Sequence, residues 1–261
     1  MPINPSDGRS PVQQVADDLR ARIESEDLGP GAQLPVTHVL VSHYGVSHDT
    51  VRHAIARLKA AGLVETKRGK GTFVRRTPPM KCLGAERYSR SKRAQGKVAF
   101  IADREEAGRG WSRDDQTQSV RECSATKEVA KALKIAEGDP VIERARVVVD
   151  KGEPTQILTS WYRREDVEGT PIMDPSPGPA GHGGGYSALD DRGIGPDEIQ
   201  EEISARMPTA EEEKVLHLLS GEPVFDLKRT AFDATGRPVE YARGTYRSSH
   251  FVWSYRFKVP D

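Results

Sequence analysis

The sequence predicts an α+β fold with two domains, on three observations. A chain of 261 residues is long enough for two ordinary domains that each bury a core. Helical periodicity over residues 12–61 is followed by a short basic β-hairpin, and the second half of the chain repeats a pattern of helix and strands. We therefore expect one domain at residues 1–76, a linker at 77–97 and a second domain at 98–261.

The first two helices are marked by their ends. Ser10 and Pro11 form a capped start for the first helix, which the glycine-proline break at residues 29–31 terminates. The second helix covers residues 37–44, because Gly45 can adopt the left-handed conformation that ends a helix.

A third helix begins after Ser47, a favourable N-cap, and extends to about residue 61. Its apolar residues follow the i, i+3, i+4, i+7 spacing of a helix packed on a core. They are Val51, Ala54, Ile55 and Leu58. The polar residues His48, Asp49 and Thr50 are left in its first turn. In helix-turn-helix proteins such a turn enters the major groove of DNA.

A basic hairpin follows the third helix. Residues 63–67 and 72–75 are short β-type runs, separated by the loop Arg68-Gly69-Lys70-Gly71. Three helices followed by a basic hairpin describe a winged helix-turn-helix.

The formal net charge of zero hides an uneven distribution. Residues 50–97 contain 14 Lys and Arg against 2 Glu, a net charge of +12, whereas residues 1–49 sum to −4 and residues 98–261 to −8. A basic block of this kind is expected where a protein neutralises phosphates, although any single cation can simply be solvated.

Several classes of protein and site are disfavoured. No apolar run approaches the roughly 20 residues of a membrane span, and the N-terminus has no apolar signal core, so we expect a cytoplasmic protein without a membrane partner. Cys82 and Cys123 lack partners at metal-ligand spacing and are predicted to be free thiols. Four histidines recur every five residues and so do not share a helical face. They are His38, His43, His48 and His53. We expect no metal and no cofactor.

The second domain contains an internal repeat. Residues 138–141 match residues 221–224 at an offset of 83, and Arg146 matches Arg229 at the same offset. After one added residue, Tyr162-Arg163 matches Tyr246-Arg247. Each copy is interpreted as helix, turn, strand, hairpin and strand, and two adjacent copies would form one sheet with helices against it.

Other segments of this domain carry their own expectations. Thr209 and Glu212 form a capping box at the start of a helix. Alternating aromatic residues over 251–259 predict a last strand with a buried aromatic face. Residues 101–119 are expected to be a mobile loop, and residues 171–186 a Pro- and Gly-rich surface loop whose glycine amides could instead hold an anion.

The first domain resembles the N-terminal domain of the GntR family of bacterial transcription regulators. The resemblance rests on residues 34–35, 44–47, 50–52, 62–64 and 68–74, with fixed spacings between them. It implies that the start of the recognition helix contacts bases and phosphates, and that the wing tip enters the minor groove. By position, the implied DNA contacts are His38, Ser47, His48, Asp49, Thr50, Arg52, Arg68, Gly69 and Lys70.

Two positions depart from the family pattern. His38 and His48 stand where relatives often have Arg. A neutral imidazole cannot make the bidentate contact of Arg to guanine, while Asp49 can accept a hydrogen bond from a cytosine amino group. We therefore expect an operator that differs from the commonest family consensus.

The second domain resembles the UTRA domain, the effector-sensing half of the histidine-utilisation-repressor-like branch of GntR regulators, whose fold is similar to chorismate lyase. The matching segments are residues 144–146, 150–154, 205–208 and 233–240. The resemblance implies a ligand in a cleft between the two repeats. The implied effector contacts are Tyr88, Ser89, Arg144, Arg146, Gly184, Glu240 and Tyr246.

Structural roles remain open for the same residues. Arg144 could be solvent-exposed or paired with Glu143 and Asp150, and the repetition of Arg146 could reflect an ion pair of the fold. Glu240 and Tyr246 could be cross-strand partners.

The resulting hypothesis is a ligand-responsive DNA-binding transcription regulator, a repressor that binds a two-fold symmetric operator as a homodimer and responds to a small, anionic metabolite. One alternative is a ligand-independent architectural or plasmid-maintenance DNA binder whose second domain only dimerises. The other is a lyase-like enzyme, which is disfavoured because no catalytic cluster is evident after residue 98.

Overall fold

The structure, a computed structural model, describes residues 3–4, 6–67, 69–75, 80–82, 84–218, 221–256 and 259. Within these ranges the chain forms a small helical unit with a two-stranded sheet, followed by a unit built on a six-stranded antiparallel sheet. No helix of the described residues is long and apolar enough to cross a bilayer.

The N-terminal unit is a winged helix-turn-helix, as predicted. Its elements are α1 (Pro11–Glu24), α2 (Thr37–Tyr44), α3 (His48–Ala60), β1 (Val64–Lys67) and β2 (Gly71–Val74). The Ser10 and Ser47 side chains accept hydrogen bonds from the third residue of α1 and α3 respectively, and Gly45 ends α2 with a φ of 67°. The apolar stripe of α3 packs on α1, so the other face of α3 is left to solvent.

The second unit contains the remaining elements. The helices are α4 (Arg90–Ala94), α5 (Ala99–Glu106), α6 (Lys127–Leu133), α7 (Arg164–Val167), α8 (Gly184–Asp191) and α9 (Ala210–Val215). The strands are β3 (Met80–Cys82), β4 (Gln116–Ser124), β5 (Pro140–Asp150), β6 (Glu153–Arg163), β7 (Glu198–Arg206), β8 (Val224–Phe232), β9 (Pro238–Arg247) and β10 (Phe251–Trp253). Short 3-10 turns cover Gly84–Tyr88, Arg113–Asp115 and Pro171–Met173.

The main sheet shows the predicted duplication directly. Its strand order is β4-β5-β6-β9-β8-β7, so the two copies meet at the central β6–β9 pair. Thr159 pairs with Arg243 in that register, and these two residues are also equivalent in the repeat. Both hairpins have an irregularity at the same repeat position, between Val148 and Val149 and between Ala231 and Phe232. The sheet is therefore pseudo-two-fold symmetric about its centre.

Two expectations for the second unit were wrong. Residues 101–119 are not a loop, because α5 and the start of β4 lie there and Phe100 and Ile101 are buried. The last strand ends at Trp253, after three residues that pair in parallel with β3. Tyr255 is 52% exposed and Val259 is 87% exposed, so the aromatic alternation does not continue as a buried face. Phe257 lies outside the described residues.

Part of the predicted linker is folded against the sheet. Arg87 is buried and forms an ion pair with Asp103 of α5 at 2.7 Å. Arg93 of α4 is also buried and pairs with Asp190 of α8 at 3.2 Å. Residues 76–79 lie outside the described residues, and the domain boundaries at 76 and 98 stay a prediction.

Candidate nucleic-acid interface and ligand cavity

The first turn of α3 presents polar side chains to solvent. Ser47 accepts a hydrogen bond from the Thr50 backbone nitrogen at 3.1 Å, and the two hydroxyls lie 2.9 Å apart. His48 and Asp49 are exposed. Arg52 is 73% exposed and pairs with Asp49 at 3.1 Å. Such an exposed pair is worth little, so it does not prevent Arg52 from reaching DNA.

The wing tip lies close to the chain that leads into α2. Gln33 donates a hydrogen bond from its side-chain amide to the Lys70 carbonyl at 2.9 Å and forms a bridge with Phe73. Gly69, with a φ of 71°, and Lys70 are exposed at the tip. The contact with Gln33 fixes the wing relative to the helices. Arg68 lies outside the described residues.

The first turn of α2 has a mixed surface. His38 is exposed, and so are Val36 and Val39 on either side of it, at 48% and 45%. The N-cap position, Val36, offers no side-chain cap. His43 lies at the other end of α2, edge-on to Tyr44 with ring centroids 4.7 Å apart.

A cavity of about 90 Å³ lies between the main sheet and the segments that form α4, α5 and α8. It has room for several water molecules, which is the scale of a small metabolite. Six of the seven predicted effector residues line it. Its polar and charged lining residues are Arg87, Tyr88, Arg93, Lys97, Gln116, Arg144, Arg146, Gln156, Tyr162, Tyr186, Arg229, Glu240 and Tyr246.

Ser89 is the predicted effector residue that does not line this cavity. Its hydroxyl accepts a hydrogen bond from the Lys92 backbone nitrogen as the N-cap of α4, and it borders a separate surface groove. A serine at the start of a short helix is used for capping, which turns it away from the sheet.

Arg144 is committed to the protein. Its guanidinium donates to the carbonyls of Ile172 and Asp174 at 2.6 and 3.0 Å and to the Gln118 side-chain oxygen at 2.6 Å. The considered pairing with Glu143 or Asp150 is wrong, since those carboxylates pair with Arg121 and Arg109. Burial and the neighbouring Arg146 charge lower the pKa of Arg144 to about 10.

Arg146 is a lining cation that keeps an unused donor and has no ion pair within the described residues. It donates from Nε to the Leu158 carbonyl at 3.3 Å and from Nη2 to the Ser160 hydroxyl. No carboxylate of the described residues lies within ion-pair distance of it, and Nη1 makes no hydrogen bond to them. Four other lining cations have carboxylate partners, whereas Arg144 is bound by two carbonyls and the Gln118 side chain. Arg87 pairs with Asp103, Arg93 with Asp190, Lys97 with Glu105 and Arg229 with Glu240.

Glu240 is buried and surrounded by donors. Arg229 approaches it at 2.9 Å, while the Ser160, Tyr162 and Tyr186 hydroxyls donate to it at 2.6, 2.9 and 2.7 Å. Burial raises the pKa of the Glu240 carboxyl, but the Arg229 and Arg146 charges and these donors outweigh it and hold the pKa below its usual value. The carboxylate is therefore ionised and fully occupied, and it organises one side of the cavity.

The glycines before α8 permit close packing. Gly184 has a φ of 77°, and a Cβ built there would lie 2.3 Å from Cγ1 of Val98. The neighbouring Gly183 would place a Cβ 2.7 Å from the Arg93 carbonyl. Both glycines are buried, so this part of the expected surface loop is a wall of the cavity.

Sequence reasoning missed several lining residues. Arg93 and Lys97 lie in the basic stretch that was interpreted as a linker. Arg229 was recognised as a repeat partner of Arg146 but not as a lining residue, and the same alignment pairs Gln156 with Glu240. The repeat was thus the signal that could have found two of them.

Comparisons with known proteins agree on the two units. The model of the gntR family of bacterial regulatory proteins matches residues 11–74, and that of the UTRA domain matches residues 115–252. A Streptomyces coelicolor protein described as an uncharacterized HTH-type transcriptional regulator is 48% identical over 95% of this chain and 93% of its own. The HTH-type transcriptional repressor NagR of Bacillus subtilis is 24% identical over 92% of this chain and 91% of its own.

Solved structures give the same assignment. A GntR-family transcriptional regulator is 29% identical, with a TM-score of 0.59 over 97% of this chain and 99% of the other. PhnF from Mycobacterium smegmatis is 21% identical, with a TM-score of 0.52 over 94% and 100% of the two chains, and so shows a similar fold. The Streptomyces coelicolor relative, NagR and the 29% identical structure are all described as transcription regulators, which points to a regulator and not an enzyme. The chain belongs to the GntR family of DNA-binding transcription regulators and carries the UTRA effector-binding domain of the histidine-utilisation-repressor-like branch.

Proposed function

We propose that this regulator is a repressor that binds a two-fold symmetric operator as a cytoplasmic homodimer, and that a small anionic metabolite in the cavity weakens operator binding. The observation that carries the effector part is Arg146, a cavity-lining cation without a carboxylate partner among the described residues. A partly buried cation that lines a cavity and forms no ion pair favours an anionic ligand. The name of NagR, a repressor, supports the proposed sign of regulation.

The proposed DNA contacts lie at the start of α2, the start of α3 and the wing, and all but Arg68 fall within the described residues. They are His38, Ser47, His48, Asp49, Thr50, Arg52, Arg68, Gly69 and Lys70. One recognition helix reads only a few base pairs, so a dimer that places two of them on neighbouring turns of the duplex supplies the needed specificity.

The proposed coupling runs through the cavity wall that joins the two units. Tyr88 accepts a hydrogen bond from Arg229 at 3.1 Å, and Arg93 pairs with Asp190. A ligand that changes either contact would move the segment that leads back to β3 and the winged helix-turn-helix. The effect must be reciprocal, so operator DNA would weaken effector binding by the same factor.

A titration of operator DNA with and without candidate metabolites tests the proposal. The Arg146→Met variant should lose most of the effector-dependent change in operator Kd, because the uncompensated charge is gone. Arg121→Met, which alters an exposed arginine at the sheet edge, serves as the matched control. If Arg146→Met responds to the effector as the wild type does, the proposed role of the cavity is wrong. If no metabolite changes operator affinity, the ligand-independent DNA binder becomes the better account.

A further inference from the structure

The repeat relates the two sides of the cavity residue by residue. Arg146 on β5 is equivalent to Arg229 on β8, and Gln156 on β6 is equivalent to Glu240 on β9. The registers are also equivalent, since Val148 pairs with Gln156 and its counterpart Ala231 pairs with Glu240. Gln156 therefore has the same position relative to Arg146 that Glu240 has relative to Arg229.

The residues opposite these two arginines on the outer strands are also related by the repeat. Gln118 on β4 lies opposite Arg146, and Glu201 on β7 lies opposite Arg229. In the strand register Arg229 is thus flanked by two glutamates and Arg146 by two glutamines, although the Gln118 side chain itself binds Arg144. The two halves of the cavity share a framework but differ in charge.

The glutamate half is complete. Glu240 binds Arg229 through both of its oxygens, and Tyr162 donates to it at 2.9 Å. Glu201 accepts a hydrogen bond from Tyr88 on the other side of the same arginine. Every charged group in this half has a partner of opposite charge or a hydroxyl donor.

The glutamine half is incomplete. Gln156 is only 3% exposed and lines the cavity, yet its side-chain amide makes no hydrogen bond to the described residues. The Tyr246 hydroxyl, counterpart of the Tyr162 hydroxyl, likewise has no hydrogen bond within the described chain, and neither does Nη1 of Arg146. These three groups line the cavity and have no hydrogen-bond partner among the described residues, so each of them can bind a polar group placed there.

Resting on the proposed function, we infer that the effector carries a carboxylate that binds Arg146 from the cavity in the way that the Glu240 carboxylate binds Arg229. The glutamate half shows that this framework fits a planar group with two oxygens that accept from one guanidinium. That geometry is the bidentate arginine–carboxylate arrangement. Gln156 and Tyr246 would supply the remaining hydrogen bonds, as the hydroxyls around Glu240 do.

The Gln156→Glu variant tests the inference because it installs the missing carboxylate within the chain. Formate and acetate serve as probes, with inorganic phosphate as the comparison at matched ionic strength, and the melting temperature is the readout. Formate and acetate should raise the Tm of the wild type more than phosphate does. Gln156→Glu should raise the Tm without any probe, and its apparent affinity for acetate should fall by about tenfold or more.

Two further variants keep the test decisive. Gln200→Glu adds the same charge on the exposed edge strand and should behave as the wild type. Arg146→Gln should lose the response to acetate even if Gln156→Glu does not fold. The inference is overturned if Arg146→Gln keeps the response, if phosphate stabilises the wild type more than the carboxylates do, or if Gln156→Glu lowers the Tm and still responds to acetate.

The inference and the proposed function fail in different measurements. The Tm experiment contains no DNA, so a missing carboxylate response overturns the inference even if some other metabolite releases the operator. A wild-type protein that responds to acetate but binds no operator would overturn the proposed function alone.

Discussion

Individual side chains at the start of α3 and at the wing have different proposed tasks. Arg52 lies on the helix surface that faces away from α1, with only the exposed Asp49 as a partner. Lys70 lies at the wing tip. Base contacts set sequence preference, whereas phosphate contacts contribute affinity on any sequence.

We expect Arg52→Ala to lower specific binding by about 1–3 kcal/mol and to relax the preference at one base position. Lys70→Ala should weaken binding to operator and random DNA alike and reduce the salt slope by about 1. Fluorescence anisotropy with both DNAs over a range of salt concentrations measures these effects. Equal losses for the two variants on both DNAs would contradict the assigned roles.

The buried Arg229–Glu240 pair is expected to have a large effect on stability. Glu240→Gln should lower the free energy of unfolding by roughly 3–5 kcal/mol, because Arg229 would keep a buried charge without its partner. The exposed pair Arg164–Glu168 is the control, and Glu168→Gln should cost less than about 1 kcal/mol. Urea unfolding at neutral pH measures both, and a small effect of Glu240→Gln would show that the pair contributes little.

The pH dependence of stability follows from the direction of the pKa shift of Glu240. The pKa of Glu240 is lower in the folded protein than in the unfolded chain, so the pair stabilises the fold fully above the ordinary carboxylate pKa. This contribution is lost as the pH falls through that range and below it. The acid limb of the stability curve should therefore be shallower in Glu240→Gln than in the wild type, and parallel limbs would contradict this.

Among the individual residues, Arg146 and Glu240 could be identified from the sequence through the repeat. The importance of Gln156 could not. A glutamine in a strand has no distinctive pattern, and its role emerges only when the register aligns it with Glu240. Ser89 is the opposite case, because a local capping hydrogen bond uses the side chain that the resemblance assigned to the ligand.

Among the elements, α8 depends on the glycines that let it approach the sheet domain. Gly184→Ala should destabilise the protein by about 1–3 kcal/mol, because the new Cβ would clash with Val98 in addition to the backbone strain of a positive φ. Gly193→Ala is a matched control, since Gly193 has a φ of 74° but no atom within 4 Å of an added Cβ. Thermal unfolding compares the two variants. Equal losses of stability would mean that the close contact with Val98 does not contribute to the effect of Gly184→Ala.

Element boundaries were predicted best where end signals were present. Gly45 and Ser47 delimit α2 and α3 closely, because capping is a local property of the backbone. The aromatic alternation after Phe251 was misleading, since β10 ends at Trp253 and Tyr255 beyond it is exposed. The polar stretch around α5 was misread for the converse reason, because its buried Arg104 and Asp103 have ion-pair partners that composition does not reveal.

For the whole molecule, the sequence predicted two units and a duplicated sheet, but not the connection between them. Residues 77–97 were treated as a basic linker on composition, yet Arg87, Tyr88, Arg93 and Lys97 line the cavity. The two units also touch where Arg75, after the wing, donates a hydrogen bond to the Ser249 carbonyl at 2.6 Å. A bound anion would thus act on a segment that is directly continuous with the DNA-binding unit.

Footprinting on the DNA upstream of its own gene, with and without a panel of small carboxylates, tests the central claim most directly. We predict a protected site with two related half-sites about one helical turn apart, released by one member of the panel in the wild type and not in Arg146→Met. Two results would contradict the account. One is protection that no metabolite alters, and the other is protection that the effector removes as readily in Arg146→Met as in the wild type.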